Sequence, residues 1–282
     1  MNFIEYIFIL PENQEEDVET FLAINEFQNY YIDKPTKGQE AIKLYINPNY
    51  PEQEVLNFFE DRFELISKKE ISEQEWLKPW VESLKPFEFL ENIWILPDPE
   101  KSEGVPKNAK IIKIIPGTAF GTGLHPTTKL AAKNLLKVIG EGAEVLDVGT
   151  GTGILSIIAY LFNAKNIVAL DYDILAVEKA IETFNLNGIE NITVKQSDLL
   201  SNIDNSEKFD IIIANIVVPI LLRLLDDEKL DNILNDNGYL ILSGINAERE
   251  NEILSKITEH EYNIISREED AGWISILLQK RI

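Results

Sequence analysis

The chain contains no cysteine. Disulfides, thiolate metal ligands and a cysteine nucleophile are therefore excluded. Histidine is almost as scarce: His125 and His260 are the only two in 282 residues and lie far apart, so no metal site is expected. No apolar run reaches the ~18 to 20 residues that a membrane helix needs, and the opening MNFIEYIFILPENQEED lacks the basic region and small-residue cleavage site of a signal peptide. A cytosolic chain without a membrane partner is expected. Positive charge is also sparse, with 26 Lys and Arg against 48 Asp and Glu, a net of −22. A surface of that sign repels phosphate backbones, so no direct nucleic-acid partner is expected. Residues 1–100 carry 22 acidic and 8 basic side chains, −14 of the −22. Such a face keeps a protein soluble, and it also suits docking of a basic protein.

What remains is patterned in two parts. Over residues 1–72, FIEYIFILP reads as a strand, EEDVETFLAINEF as a helix, YYIDK and QEAIKLYIN as strands, EQEVLNFFEDRF as a helix and ELISKKEI as a strand. The order βαββαβ predicts a smaller α+β ferredoxin-like domain, an architecture that names no function. Residues 73–84 read as a linker, in which Trp76 and Trp80 share a helix face suited to packing, with Pro79 limiting its regularity. Residues 85–282 form the second domain. From about residue 100 continuous Val, Ile and Leu strands alternate with helices, the pattern of a doubly wound α/β sheet with ligands beyond the carboxyl ends of its strands.

The loop DVGTGTG, Asp147 to Gly153, follows a strand and opens a helix; Asp171 ends the next strand, 22 residues after Gly149. An acid at that tip is placed to bind both hydroxyls of a ribose, which points to a nucleoside-containing cofactor. The dinucleotide fingerprint G-x-G-x-x-G fails, because Ile154 stands where the third glycine belongs, and Asp147 precedes the first glycine. An acid there suits a cationic cofactor and repels a pyrophosphate. With Gly149, Gly151 and Asp198, the last placed at the end of a third strand to meet an adenine amino group, the set resembles the class I S-adenosylmethionine-dependent methyltransferases.

A second loop narrows the resemblance. IIPGTAFGTGLHPTT, then LDVGTGTGILSI, ALDYD and ANI, are similar to the bacterial ribosomal protein L11 methyltransferases, whose pattern runs PGxAFGTGxHxTT. The resemblance covers nearly all of the chain, implying that residues 1–72 are a substrate-recognition domain, residues 73–84 a linker and residues 85–282 the methyltransferase domain, with specific motifs only in the catalytic half. It implies an S-adenosyl-L-methionine-dependent protein N-methyltransferase acting on lysine side chains, and on the N-terminal amine, of a basic ribosomal protein. It also implies that Thr128, Gly149, Asp171 and Asn215 contact the cofactor. Methylation of another protein or a small amine, or a non-catalytic binding module on the same fold, are the alternatives the sequence leaves open.

The residues of the loop have their own physical reading. KLAAKNLLKVI is an amphipathic helix, and Thr127 or Thr128 is placed to cap it. Gly121 and Gly123 would let backbone approach a ligand or hinge. Phe120 is either core packing or a wall of the site. His125 is either a hydrogen bond that shapes the loop or an acid–base group; the first is preferred, because methyl transfer to a neutral amine needs no obligatory base. Asn215, in ANIV, is the catalytic candidate: its amide oxygen and backbone carbonyl would hold an amine with its lone pair aimed at carbon. Its alternative is a turn cap. ANIV lacks the Pro-Pro-aromatic continuation of methyltransferases acting on glutamine amides or nucleobase amines.

Overall fold

The computed structural model describes residues 2–11, 14, 17–18, 21–22, 27, 30–33, 40–46, 48, 52–72, 84–114 and 123–281. Phe120, Gly121, Trp76, Pro79 and Trp80 lie outside the described residues. The chain divides into two compact units, Met1–Ser83 and Leu84–Ile282.

In the first unit, strands β1 (Asn2–Leu10), β2 (Tyr30–Asp33), β3 (Glu40–Ile46) and β4 (Leu65–Ser72) form one antiparallel sheet in the order β2-β3-β1-β4. Helical backbone at Asp17–Val18 and Phe21–Leu22, and helix α1 (Gln53–Glu60), fall between the strands where the βαββαβ reading puts helices. Alternation along β1 sends Tyr6, Phe8 and Leu10 to one face, where they meet Leu22, Ile42, Leu44 and Phe59. Phe8 and Phe59 pack with ring centroids 5.4 Å apart, adding a geometric preference to the burial of area.

The second unit is built on a seven-stranded sheet in the order β10-β9-β8-β11-β12-β14-β13. Strands β8 (Glu144–Val148), β9 (Asn166–Asp171), β10 (Ile192–Gln196), β11 (Phe209–Asn215) and β12 (Leu234–Asn246) are parallel; β13 (Tyr262–Asp270) and β14 (Trp273–Lys280) close the edge as an antiparallel hairpin. Helices α2 (Pro126–Val138), α3 (Ile154–Leu161), α4 (Ile174–Leu186), α5 (Val218–Leu225), α6 (Glu228–Ile233) and α7 (Glu250–Ile257) cover it. The two faces are separate cores. Val145, Ile211, Ile213 and Ile241 meet α2 and α3 on one side, while Leu146, Ile212, Leu240 and Leu242 meet α5, α6 and α7 on the other. Strand order reverses between β8 and β11, so the crevice beyond their carboxyl ends is the switch point of a doubly wound sheet.

Two features go beyond the sequence pattern and one departs from it. The stretch from PILL to DNIL is two helices, because Asp227 caps α6 by accepting the Lys229 N–H at 3.0 Å. An unforeseen three-stranded sheet, β5 (Phe87–Leu90), β6 (Ile93–Leu96) and β7 (Lys110–Lys113), packs Phe89, Ile95 and Ile112 into the α2–α3 core. Its tight turn holds Asn92 at φ 61, a conformation asparagine tolerates. Finally, α2 begins at Pro126 and its cap is His125, in place of Thr127 or Thr128. Proline at the first helical position fixes the start, and the His125 Nδ1 accepts the Thr127 N–H at 3.3 Å.

Candidate functional site

Strand β8 delivers Asp147 to the switch point. The side chain is fully buried; its Oδ2 accepts from Thr150 Oγ1 and Ser156 Oγ, each at 2.7 Å, while its Oδ1 has no partner. Burial pushes this carboxyl up to about 6, and the two hydroxyls oppose that shift. Neither Thr150 nor Ser156 belongs to the glycine and acid pattern that marks this loop in the sequence. Their spacing, three and nine residues after the acid across a loop-to-helix turn, was the available signal.

The loop after β8 needs glycine. Gly149, Gly151 and Gly153 all have positive φ (73°, 56° and 83°). A Cβ on Gly149 would stand 2.3 Å from Ile216 Cγ2, and one on Gly153 would stand 2.4 Å from Phe184 Cε1. The Gly151 N–H donates to Asp171 Oδ2 at 2.9 Å, so the acid at the tip of β9 also holds the loop. Asp171 Oδ1 accepts the Asp173 N–H at 3.0 Å. An ionised carboxylate offers about four acceptor positions; the Tyr172 N–H is directed at it as well, so one stays available for a hydroxyl. Burial raises the Asp171 carboxyl above its ordinary range, against the opposing backbone donors.

Asn215 ends β11 and is buried; its Nδ2 donates to Thr128 Oγ1 at 3.3 Å and its Oδ1 has no partner. Thr128, freed from capping, thus joins the first turn of α2 to the end of β11. Next to it, Ser243 Oγ in β12 donates to the Thr127 carbonyl at 2.9 Å. Farther along the helix, Asn134 Nδ2 donates to Ser275 Oγ in β14 at 3.0 Å. These buried bonds pin α2 to three strands and so fix the position of its amino-terminal turn. Gly123, at φ 82, lies where a Cβ would be 2.2 Å from Ile95 Cδ1, which ties the loop before α2 to β6.

His125 also touches β14, its ring 4.9 Å from that of Trp273 at a steep angle. Burial holds the imidazole below its usual range, and an Nδ1 that accepts a backbone N–H belongs to a neutral ring. The geometry is that of a helix cap, the loop-shaping role. Asp198 stands apart from this cluster. It is exposed after β10, and both of its oxygens accept from Arg223 Nη2, at 3.1 and 2.9 Å. The structure therefore brings Asp147, Gly149, Gly151 and Asp171 together at one strand-tip cradle and Thr128, Asn215 and His125 at the adjoining one.

Among the described residues, four buried side-chain oxygens lack a hydrogen-bond partner. One, Glu5 Oε1, lies 3.0 Å from Lys69 Nζ in the first unit. The other three, on Asp147, Asn215 and Asn246, all occur at the carboxyl ends of the parallel strands. Buried acceptors are ordinarily satisfied, so a cluster of exceptions marks a place that receives donors or positive charge from outside the chain. No helix among the described residues is long and apolar enough to cross a membrane, and no cluster of three potential metal ligands occurs among them.

A family profile described as ribosomal protein L11 methyltransferase (PrmA) matches residues 12–281. Two curated relatives called ribosomal protein L11 methyltransferase align with almost all of the chain. The one from Thermotoga maritima is 37% identical over 280 residues, 99% of this chain and 100% of the relative. The one from Thermotoga petrophila is 36% identical over the same shares. Among solved structures, a ribosomal protein L11 methylase from Lactobacillus delbrueckii subsp. bulgaricus is 34% identical with a TM-score of 0.65, covering 71% of this chain and 100% of that one.

Proposed function

The chain belongs to the ribosomal protein L11 methyltransferase family, and from that premise we propose that it transfers methyl groups from S-adenosylmethionine to lysine side chains, and to the N-terminal α-amine, of the basic ribosomal protein L11. The observation that carries this reading is the buried, unpartnered Asn215 Oδ1 beside the glycine cradle. When bound, S-adenosylmethionine supplies an electrophilic methyl group on a positively charged sulfonium. The cradle fits such a group. Asp147 keeps one carboxylate oxygen free of donors in a buried site, and that suits a ligand carrying positive charge. Gly149 and Gly151 hold the loop at positive φ, and Asp171 retains an acceptor position for a ribose hydroxyl.

The rest of the chemistry belongs to the acceptor amine, which must be uncharged to offer a lone pair. A lysine of pKa ~10.4 is neutral in roughly one part in 2,500 at pH 7, equivalent to about 4.6 kcal/mol, whereas an α-amine near 8 needs only about 1.4 kcal/mol. A water-poor pocket lowers that cost by disfavouring the ammonium form. Asn215 Oδ1 accepts one amine N–H and thereby orients the lone pair. Thr128 Oγ1 holds the carboxamide in place through Nδ2, and Ser243 holds Thr127 behind it. The acidic first 100 residues supply the attraction for a basic protein substrate. His125 needs no proton-transfer role in this scheme.

The reading is tested by incubating the purified chain with L11 and S-adenosylmethionine and mapping mass increments of one methyl by mass spectrometry. Methylated lysines and a methylated α-amine are expected. A chain that binds S-adenosylmethionine yet leaves L11 unchanged would refute the assigned substrate.

A further inference from the structure

Asn246 is the one member of the unpartnered cluster that the scheme above leaves without a task. It ends β12 and stands at the N-cap position of the 3₁₀ turn Ala247–Arg249, yet its side chain makes no cap hydrogen bond. Its Oδ1 is buried without a partner.

A bulge sets the direction of this side chain. The β12–β14 register passes from Ser243↔Ser275 to Ile245↔Ile274 and Asn246↔Trp273, so Gly244 is one extra residue in β12. Regular alternation would carry the α2-facing series Ile241, Ser243 on to Ile245 and send residue 246 to the opposite face. The extra residue reverses that. Ile245 joins the opposite core, and Asn246 shares a face with its cross-strand partner Trp273, whose ring meets His125. The bulge requires glycine, since residue 244 has φ 85° and a Cβ there would stand 2.3 Å from the Ile216 carbonyl oxygen, one residue beyond Asn215.

Asn215 and Asn246 are therefore two buried amide oxygens on one face, at different heights. Asn215 is in register with Ser243, and Asn246 lies three residues farther out along β12. At 3.2 to 3.4 Å per residue, less the bulge, the offset is roughly 7 to 10 Å. An extended lysine side chain separates its amine from its own main chain by ~6 Å.

The geometry points to Asn246 as a second substrate-binding residue: its Oδ1 accepts a main-chain N–H of the protein substrate beside the lysine whose amine is held at Asn215. The inference rests on the functional reading above. The pair measures a lysine side chain, and an N-terminal α-amine, which carries no such spacer, does not span it. Asn246 thus favours lysine over the α-amine.

The test compares wild type with Asn246→Ala and Asn246→Leu, using peptide-resolved mass spectrometry of L11 at limited turnover and calorimetry for S-adenosylmethionine. Loss of the acceptor should raise KM for lysine methylation by ~10-fold with kcat within about threefold, the pattern of a lost ground-state contact. Cofactor affinity should stay within about twofold, and α-amine methylation should change far less than lysine methylation. Asn246→Asp, which keeps an acceptor, should restore KM to within about threefold of wild type. The alanine variant adds no atoms, so a folding defect in the leucine variant does not hide the result. An unchanged lysine KM in Asn246→Ala overturns the inference, as does an equal fall in lysine and α-amine methylation. Wild type that binds cofactor without methylating L11 overturns the functional reading and this inference together.

Discussion

Replacing Asp147 by asparagine should make the ligand-free protein more stable and the enzyme worse. The carboxyl titrates near 6 in the folded chain because burial penalises its ionised form, against 3.8 for an exposed aspartate. The folded state thus binds a proton more tightly than the unfolded one between those values, so stability falls as pH rises from about 4 to about 6 and stays lower above. The gap between those two values corresponds to about 3 kcal/mol of destabilisation at pH 8, absent only near pH 3 and below. Asparagine removes the charge while its amide oxygen still accepts from Thr150 and Ser156, the two donors now serving Oδ2. Urea unfolding at pH 8 without ligand should therefore show Asp147→Asn more stable by about 1 to 3 kcal/mol, with the gain falling to about a third by pH 4.5 and vanishing near pH 3. Binding should move the other way. A cationic ligand beside the carboxylate lowers its pKa, so wild-type affinity for S-adenosylmethionine should rise as pH increases through about 6 and release a proton measurable by calorimetry in buffers of different ionisation enthalpy. In the variant both the pH dependence and the proton release should vanish, and affinity at pH 8 should fall ~10-fold or more. Equal stability of the two proteins at pH 8, or a stability difference that does not change with pH, would refute the assignment of a strained buried charge.

Asn215→Ala should lower kcat by ~10²-fold or more in single-turnover assays while cofactor affinity falls far less, since the amide is assigned to orienting the amine. The residual rate should rise with pH until the bound amine's pKa is passed; a variant at the wild-type rate from pH 6.5 to 9.5 would return Asn215 to a turn cap. Asp171→Ala should weaken S-adenosylmethionine binding by about 2 to 3 kcal/mol, and Asp171→Asn, which retains an acceptor for the Gly151 N–H, by less; calorimetry that finds the alanine variant within threefold of wild type contradicts the ribose role. If the acidic surface docks L11, kcat/KM for that protein should drop ~10-fold or more between low salt and roughly 0.5 M, with the cofactor Kd nearly constant, whereas salt-independent kcat/KM would remove charge from the docking step.

The parts of this site that could be read from sequence are those whose signal is local. The strand, glycine loop and helix from Glu144 to Leu161, and Asp171 at the next strand tip, lie in one continuous run of residues with hydrophobic and glycine periodicity intact. The misread parts depend on partners distant in sequence or on a single dominant residue. His125 caps α2 because Pro126 fixes the first turn, and the hydroxyls of the two threonines that resemble caps pair elsewhere, that of Thr127 with His125 Nδ1 and that of Thr128 with Asn215. Strands β5 to β7 are four residues each, too short for alternation to stand out, and β6 finds its partner β7 across the long segment from Leu96 to Lys110. The pairing of Asp198 with Arg223, 25 residues away, likewise has no local signal in the sequence. The bulge at Gly244 is the least legible of all, since GIN reads as the plain end of a strand and only the β14 register reveals the inserted residue.

These local exceptions fall together in space. Three glycines with positive φ, a glycine bulge pressed on the Ile216 peptide, and three buried oxygens without donors occur at the ends of β8, β11 and β12. Asp147 is in register with Ile213, two residues before Asn215 and on its face of the sheet, and the Gly244 bulge returns Asn246 to that same face. Imperfect packing alone would scatter such defects, and among the described residues the buried nitrogens without partners do lie elsewhere, Trp94 Nε1 on β6 and His260 Nε2 in the turn before β13. The clustered atoms are all acceptors, so whatever completes them must bring N–H groups or positive charge. Methylation of a lysine in a protein supplies both: positive charge for Asp147, an amine N–H for Asn215, and a main-chain N–H one side-chain length away for Asn246. A site for a small amine alone would have left the outermost of the three with nothing to bind, which is why the position of Asn246 argues for a polypeptide as the acceptor.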